Sequence, residues 1–344
     1  METLETPATT IKTSQMKEIL QYLFNHNTLS KSEAKAMMIE IAQNKFNAAE
    51  VTAFISVFLM RNITLKELEG FREALLQMAV PVDIDATDAI DIVGTGGDGK
   101  DTINISTLAS FVVAGAGQKV TKHGNYGAST ITGSSNVLEE LGYQFKNTSE
   151  QLNEDLERAN ICFLHAPYFH PALQSVGLLR KSLGLRTFFN LLGPLVNPAK
   201  PKYSMIGVYN LEIARIYQYL LQKEEREFIL VHGLDGYDEI SLTDDSKIIT
   251  KNGEEIYSAE DLGFHPVTLE DIKAGSSTQE TAKIFMNILE GKGTEQQNSV
   301  ILANASVALY NTHKFGTYED CLLLAKESLQ SGKALNSFNL LVKK

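Results

Sequence analysis

Two glycine-rich segments carry the residues whose types and spacing most clearly indicate chemistry. Residues 94–98 read GTGGD, and residues 122–125 read KHGN. The first segment follows the apolar run of residues 89–93, so a buried strand is expected to open into a loop with unobstructed amide groups. Such a loop can wrap a phosphate, and Lys122 adds a positive charge. The two segments together predict a site for a phosphorylated sugar.

The surrounding pattern predicts how these segments are positioned. Residues 104–107 (NIST) supply cap-type residues ahead of the apolar stretch 108–116, so a helix should begin there, and helix N-termini bind anions. A second strand is predicted at residues 119–122 and a second helix at residues 133–142. Both loops would then lie at the carboxyl ends of parallel strands, where such sheets bind ligands.

Two common glycine motifs fit this stretch only in part. Residues 94–100 match the first seven positions of a P-loop, but the eighth, which must be Ser or Thr, is Asp101. A dinucleotide-binding fingerprint would need its third glycine at Gly99 and a helix that begins at once. Asp98 would also put a negative charge against the pyrophosphate. A nucleoside triphosphatase and a dinucleotide-binding protein are therefore both disfavoured.

Composition sets wider limits. The chain has 344 residues, 43% of them hydrophobic, which is enough for two domains with a large core. Its net charge of −11, without a cluster of Lys and Arg, argues against a nucleic-acid partner. Cys162 and Cys321 lack metal-site spacing and are expected to be buried thiols. We find neither a signal-peptide pattern nor a membrane-spanning run, so we expect a cytoplasmic protein with no membrane partner.

The first eighty residues predict a small helical bundle. Three helix starts combine a cap residue with a Glu three positions later: Ser30 with Glu33, Asn47 with Glu50, and Thr64 with Glu67. Apolar residues at helical spacing follow each start. Beyond residue 142 we predict strands at residues 161–165, 203–209 and 227–232, and an antiparallel hairpin at residues 247–257 around Asn252 and Gly253. Further helices are predicted at residues 171–183, 211–221, 278–289, 296–310 and 318–330.

Five motifs occur in the order seen in one enzyme family. They are residues 94–98, 104–107, 122–125, 186–195 (RTFFNLLGPL) and 238–241 (DEIS). From about residue 14 to its end, the chain resembles the anthranilate phosphoribosyltransferase family of tryptophan biosynthesis. The resemblance implies transfer of phosphoribose from phosphoribosyl pyrophosphate to the amine of anthranilate, assisted by Mg²⁺, with release of pyrophosphate.

The resemblance also implies a domain organisation. A small helical domain of residues 1–82, to which residues 168–194 contribute helices, would lie beside a larger α/β domain. That domain, residues 83–167 and 195–344, would have a mostly parallel sheet flanked by helices. A homodimer joined through the helical domains is implied as well.

Site residues follow from the resemblance motif by motif. The phosphoribosyl pyrophosphate site would comprise Gly94, Gly97, Asp98, Thr102, Asn104, Ile105, Ser106, Thr107, Lys122, His123, Gly124, Asn125, Ser129, Thr130 and Ser134. Ser106, Asp238 and Glu239 would bind Mg²⁺, which prefers oxygen ligands. Arg180 would hold the carboxylate of anthranilate, because its planar fork matches a carboxylate bidentately. Other implied anthranilate contacts are Gly94, Asn125, His170, Gly193 and Pro194.

The implied chemistry needs positioning more than a covalent step. Lys122, His123 and Asn125 would position the reactants, and no residue is an obvious general base. Because no nucleophile is paired with a base, we predict that no covalent intermediate forms with the enzyme.

Two positions depart from the family's pattern, and two alternatives remain open. Tyr126 stands where the family commonly has Arg, and Asn136 where it commonly has Asp, so a cation and an anion are lost together. A pyrimidine nucleoside phosphorylase shares the architecture, although Gly124 and Asn125 favour an amine acceptor. A non-catalytic, ligand-binding relative is the second alternative, and retention of so many charged motif residues argues against it.

Overall fold

The computed structural model describes residues 16–127 and 132–343. Four helices come first: α1 (Met16–Phe24), α2 (Lys31–Ala42), α3 (Ala48–Met60) and α4 (Leu65–Met78). The last three begin with the capping boxes that the sequence predicts, in which Ser30, Asn47 and Thr64 each exchange hydrogen bonds with the Glu three residues later. The predicted helical bundle is therefore confirmed.

A seven-stranded sheet forms the centre of the rest of the chain. Its strands are β1 (Ile90–Gly94), β2 (Val120–Gly124), β3 (Ile161–His165), β4 (Tyr203–Gly207), β5 (Glu227–Gly233), β6 (Ser246–Ile249) and β7 (Glu254–Tyr257). Their order is β3-β2-β1-β4-β5-β6-β7, and neighbours among the first five are parallel. Strands β6 and β7 form the predicted antiparallel hairpin at one edge. This mixed, mostly parallel sheet confirms the predicted fold class.

Ten helices of the described chain accompany the sheet. They are α5 (Ile105–Gly115), α6 (Ser134–Glu140), α7 (Ser149–Ala159), α8 (Ala166–Phe169), α9 (Gln174–Leu183), α10 (Leu211–Leu221), α11 (Thr278–Leu289), α12 (Glu295–Tyr310), α13 (Tyr318–Gln330) and α14 (Lys333–Val342). The sequence predictions missed α7, α8 and α14, and α9 begins later than predicted, after a 3₁₀ turn over Pro171–Leu173. Strand β4 also ends two residues earlier than expected. No helix of the described residues is long and apolar enough to cross a membrane.

The two faces of the sheet belong to two different hydrophobic cores. In β4, Met205 faces the core built with α5 and α11 to α14, whereas Ile206 faces the core of the helical bundle. In β5, Ile229 faces the first of these cores and Phe228 faces the core of the bundle, because successive side chains of a strand point to opposite faces. The bundle core thus continues without interruption onto one face of the sheet.

Residues 166–196 run along the junction between the bundle and the sheet. Phe188 stacks on Phe71 of α4 with 4.7 Å between ring centroids and contacts Phe58 of α3 edge-on at 4.9 Å. Val176 of α9 is buried in the same core. This packing fixes residues 180–194 opposite the carboxyl ends of the strands.

Candidate active site

A cleft of about 280 Å³ lies where β1, β2 and β5 end and the segment of residues 166–196 passes by. The predicted site residues that line it are Gly94, Gly97, Asp98, Thr102, Asn104, Ser106, Thr107, Lys122, His123, Gly124, Asn125, Ser134, Arg180, Gly193, Pro194, Asp238 and Glu239. Motifs more than a hundred residues apart in the chain therefore share one cavity.

Two predicted residues of the described chain are not part of this lining. The side chain of Ile105 is buried in the core beneath α5. His170 is buried behind the cleft, with its ring 5.3 Å from that of His123. Ser129 and Thr130 lie outside the described residues.

The glycine loop after β1 is tied to the loop after β5. The amide of Gly96 donates a hydrogen bond of 2.6 Å to Oδ2 of Asp238. A Cβ atom at Gly94 would overlap the same carboxylate, so only glycine allows this approach. Asp238 therefore fixes the position of the loop.

Helix α5 begins at the predicted place but is capped in an unexpected way. Asn104 makes no side-chain capping bond, and its amide group instead donates to the carbonyl of Thr132 at 3.4 Å. The carboxylate of Glu239 accepts hydrogen bonds from the amide of Ser106 at 3.0 Å and from the hydroxyl of Thr102 at 3.3 Å. An acidic side chain of the protein itself thus lies at the N-terminal end of the helix.

Three acidic side chains, Asp98, Asp238 and Glu239, lie together beside the glycine loop. Burial and the neighbouring charge of Asp238 raise the pKa of Asp98, and burial raises the pKa of Asp238 itself. Burial and the charges of Asp238 and Asp98 raise the pKa of Glu239. Within the described ranges, none of the three forms an ion pair with Lys or Arg. Carboxylate oxygens are hard donors that a divalent cation prefers, but no three acidic, His or Cys side chains of the described residues are grouped so as to hold a metal ion by themselves.

Lys122 is buried at the floor of the cleft. Its ammonium donates to the carbonyl of Ile92 at 2.6 Å and to the hydroxyl of Ser106 at 3.4 Å. Burial lowers the pKa of Lys122 to about 8, although the nearby carboxylate of Asp91 opposes this shift. The lysine is thus held in place before any ligand binds.

Asp91 and Asn197 hold the turn that follows β2. Asp91 accepts the amide of His123 at 3.2 Å and the side-chain amide of Asn197 at 2.9 Å, and Asn197 also donates to the carbonyl of Thr121. Neither residue was predicted to belong to the site. Asp91 lies within an apolar strand and Asn197 lies 106 positions away, so no local pattern indicates their contact.

His123 presents a defined ring to the cleft. Its Nδ1 lies 3.1 Å from the carbonyl of Gly193, which can only accept, so Nδ1 carries the hydrogen. Burial, reinforced by His170, lowers the pKa of His123 to about 3, so the ring is neutral. Nε2 is left as an acceptor without a partner among the described residues. Behind it, His170 donates from Nε2 to the carbonyl of Val196 at 2.8 Å.

Arg180 faces the cleft from the last turn of α9. Its guanidinium lies 5.4 Å from the ring of Phe189 and donates a long hydrogen bond of 3.5 Å to the side chain of Asn190. Burial lowers its pKa, but an arginine remains charged. Arg180 forms no ion pair with a described carboxylate. Its fork can therefore accept the carboxylate of a ligand.

Known proteins share both parts of this architecture. Residues 17–79 match the family described as "Glycosyl transferase family, helical bundle domain", and residues 86–335 match "Glycosyl transferase family, a/b domain". The fold and the cleft therefore define a transferase of this glycosyl transferase class.

Individual relatives narrow the assignment. Anthranilate phosphoribosyltransferase of Flavobacterium psychrophilum is 52% identical over 322 residues, which cover 94% of this chain and 97% of that protein. The enzyme of the same name from Christiangramia forsetii is 50% identical over 95% of this chain and 99% of its own length. The chain belongs to the anthranilate phosphoribosyltransferase family. This assignment confirms the resemblance and decides against the two alternatives.

Solved structures agree with the assignment. Anthranilate phosphoribosyltransferase of Thermus thermophilus superimposes with a TM-score of 0.86 at 30% identity, covering 94% of this chain and 98% of that one. The enzyme from Saccharomyces cerevisiae, solved in complex with PRPP and Mg, gives a TM-score of 0.87 at 25% identity, covering 95% and 96%.

Proposed function

We propose that this protein transfers the phosphoribosyl group of 5-phosphoribosyl 1-pyrophosphate to the amine of anthranilate in tryptophan biosynthesis. The observation that carries the proposal is that one cleft contains both kinds of binding group. The glycine loop, Lys122 and the acidic pair Asp238 and Glu239 line one side of it, and Arg180 lines the other. One side suits a polyanion and the other suits a small aromatic acid. Family membership supports the same reaction.

The donor occupies the side of the cleft formed by the strand ends. The amides of residues 94–98 and the hydroxyls of Thr102, Ser106 and Thr107 bind phosphate oxygens without adding bulk. Lys122 supplies the fixed positive charge. Ser134 contributes a further hydroxyl from the start of α6.

Asp238 and Glu239, together with the hydroxyl of Ser106, hold Mg²⁺ in this proposal. These groups fit the ion, because all are oxygen donors and the carboxylates have no cationic partner in the described chain. When bound, Mg²⁺ shields the charge of the pyrophosphate leaving group. Asp238 bonds to the glycine loop and Glu239 bonds to the start of α5, so the residues that hold the metal also position those that bind the donor.

Anthranilate lies against residues 180–194. Arg180 holds its carboxylate, and Phe189, Gly193 and Pro194 line the space for its ring. Asn125 lines the cleft and offers an acceptor for a hydrogen of the amine. His123 is buried beneath it and, through Nδ1 and the carbonyl of Gly193, holds the two sides of the cleft in position.

These contacts suffice for a displacement at the ribose carbon. As the bond to pyrophosphate breaks, positive charge builds on the ribose ring and negative charge on the leaving group. Lys122 and the loop amides stabilise the leaving charge, while Arg180 and Asn125 hold the amine on the opposite face. The amine nitrogen then attacks the anomeric carbon with inversion as the bond to pyrophosphate breaks, and the surplus proton on nitrogen passes to the departing pyrophosphate or to solvent. No covalent bond forms between ribose and protein.

A fluorescence assay tests the reaction. Purified protein is mixed with Mg²⁺, phosphoribosyl pyrophosphate and anthranilate, with matched mixtures that lack the donor or the metal. We expect loss of anthranilate fluorescence only in the complete mixture. Persistence of fluorescence there would contradict the proposal, and phosphate-dependent release of thymine from thymidine would support the phosphorylase activity instead.

We also propose a cytoplasmic homodimer. The two free, buried cysteines agree with a reducing compartment. Exposed apolar side chains on the bundle, among them Phe24 and Met60, offer a surface for a second copy.

A further inference from the structure

Two stretches of backbone meet at one wall of the cleft. They are residues 125–127, which follow β2, and residues 133–136, which begin α6. A Cβ atom at Gly133 would overlap the amide nitrogen of Gly127 and would lie 2.7 Å from the carbonyl oxygen of Asn125. The two backbones are therefore in direct contact, and no side chain fits between them.

The side chain of Asn136 joins these two stretches. Its Oδ1 accepts hydrogen bonds of 2.9 Å from the amides of both Gly127 and Gly133. Gly127 and Gly133 line the cleft, whereas Asn136 lies behind them and does not. A group outside the cavity thus determines where part of its wall lies.

Hydrogen bonds to Asn125 complete the junction. The carbonyl of Asn125 accepts from the amide of Ser135 at 3.1 Å and from the hydroxyl of Ser134 at 3.4 Å. The first of these bonds joins main chain to main chain, and the second ties a cleft-lining hydroxyl to the turn. Asn125 and Ser134 therefore depend on the same contact that Asn136 maintains.

We propose that Asn136 is a positioning residue for the phosphoribosyl donor. Its amide oxygen holds residues 125–127 against the start of α6, so Gly127, Gly133 and Ser134 keep their places in the wall before the donor arrives. Without this oxygen, two amides lose their acceptor and the wall loosens. Donor binding must then restore the order, whereas Arg180 on the opposite side keeps its position.

The inference rests on the proposed function, because the donor is phosphoribosyl pyrophosphate. Its test compares Asn136→Leu, which removes the acceptor oxygen, with Asn136→Asp, which retains one. Asn153→Leu is the matched control, since the side chain of Asn153 also bonds the main chain, at the carbonyl of Asp83, but lies away from the cleft. KM is measured for both substrates, and the Kd of the donor with Mg²⁺ is measured by calorimetry without anthranilate.

We expect Asn136→Leu to raise the KM and Kd of the donor about tenfold, the effect of two lost hydrogen bonds. The KM of anthranilate should stay within about twofold of wild type, on the same reasoning that its site is separate. Asn136→Asp should restore donor binding, and Asn153→Leu should change none of these values. Asn136→Ala removes the same oxygen without added bulk and replaces Asn136→Leu if that variant does not fold.

Three results would overturn the inference. They are an unchanged donor Kd in the variants that lack the oxygen, an equal rise in both KM values, and an Asn136→Asp variant as impaired as Asn136→Leu. The donor Kd is measured without the acceptor, so it decides the role of Asn136 even if no anthranilate is consumed. Absence of turnover in the wild type would count against the proposed function alone.

Discussion

At the scale of single residues, the cleft is organised by side chains that hold other groups in place. Asp238 holds the glycine loop through Gly96, and Asp91 holds the turn at His123. Arg180 differs, because its long bond to Asn190 and its contact with Phe189 leave the charge uncompensated. Arg180 has no anionic partner among the described residues, so its guanidinium is well suited to bind a negatively charged ligand.

Replacing Arg180 by Lys tests this role. Lysine keeps the charge but cannot form the two parallel hydrogen bonds of a guanidinium with a carboxylate. We expect Arg180→Lys to raise the KM of anthranilate about tenfold, the effect of one lost charge-assisted hydrogen bond, with little change in the KM of the donor. Initial rates at varied concentrations of each substrate give both values.

Lys181 provides the control for this experiment. It is the exposed neighbour of Arg180 on α9, so Lys181→Ala should leave both KM values near wild type. Equal increases in both KM values for Arg180→Lys would show that Arg180 does not bind anthranilate selectively.

At the scale of secondary-structure elements, the helical bundle depends on a buried ion pair. Glu67 is fully buried, pairs with Arg61 at 2.6 Å and accepts the amides of Leu29 and Thr64. Burial by itself would raise the pKa of Glu67, but the bonds from Arg61 and the two amides outweigh it and lower the pKa. One carboxylate thus connects α4 to the residues before α2 and after α3.

This arrangement predicts how stability depends on pH. Because the pKa of Glu67 is lower in the folded state, its contribution is present above the unfolded value of about 4.3 and is lost as the pH falls through the folded value. Glu67→Gln should reduce the free energy of unfolding by about 3 kcal/mol at pH 7. The difference from wild type should shrink below about pH 4, as urea denaturation at several pH values will show.

Glu73 is the matched control, because its pairs with Lys31 and Lys35 are largely exposed. Glu73→Gln should cost less than about 1 kcal/mol. A difference between wild type and Glu67→Gln that does not change with pH would contradict the assignment of the effect to the carboxylate.

Close contact between α2 and α4 leads to a second prediction at this scale. A Cβ atom at Gly70 would overlap the carbonyl oxygen of Lys31 and would lie 2.7 Å from Cβ of Ala34. Gly70→Ala should therefore lower the free energy of unfolding by about 1–3 kcal/mol. Gly177 of α9 has open space around it, so Gly177→Ala should raise stability by about 0.5–1 kcal/mol. Urea midpoints that shift alike in both variants would rule out the steric explanation.

Some helices could be predicted from the sequence and others could not. Capping boxes involve residues three positions apart, so the starts of α2, α3 and α4 were predictable. Helix α14 was missed because it begins after Gly332 in a left-handed conformation, without a side-chain cap. Helix α7 was missed although Thr148 caps it, since its few apolar residues are outnumbered by polar ones.

For the site, motifs on strand ends were predictable because parallel strands place their carboxyl ends together. The contacts among those motifs were not. Glu239 as the cap of α5 and Asn197 as the partner of Asp91 each join residues more than a hundred positions apart. Such pairs depend on the packed fold and leave no periodic or local trace in the sequence.

At the scale of the whole molecule, the proposed dimer predicts a specific response to charge. Phe24 is 60% exposed at the end of α1, and Met60 is 88% exposed at the end of α3. The double variant Phe24→Glu, Met60→Glu should shift sedimentation from dimer to monomer, because two carboxylates would be buried at each copy's contact. Leu323→Glu, at an exposed position of α13, should leave the dimer intact. A wild-type monomer would refute the proposal directly.

The side chains of β4 and β5 face two different hydrophobic cores, and this predicts how the protein responds to truncation. Ile206, Val208, Phe228 and Leu230 are covered by the same core that fills the helical bundle. A fragment that begins after α4 would keep α10 but would lose the bundle helices that cover the other side of this core. Phe188, which packs against Phe54, Phe58 and Phe71, would then be exposed to water, and such apolar surfaces promote aggregation. We therefore expect truncation at residue 82 to yield insoluble protein in expression trials.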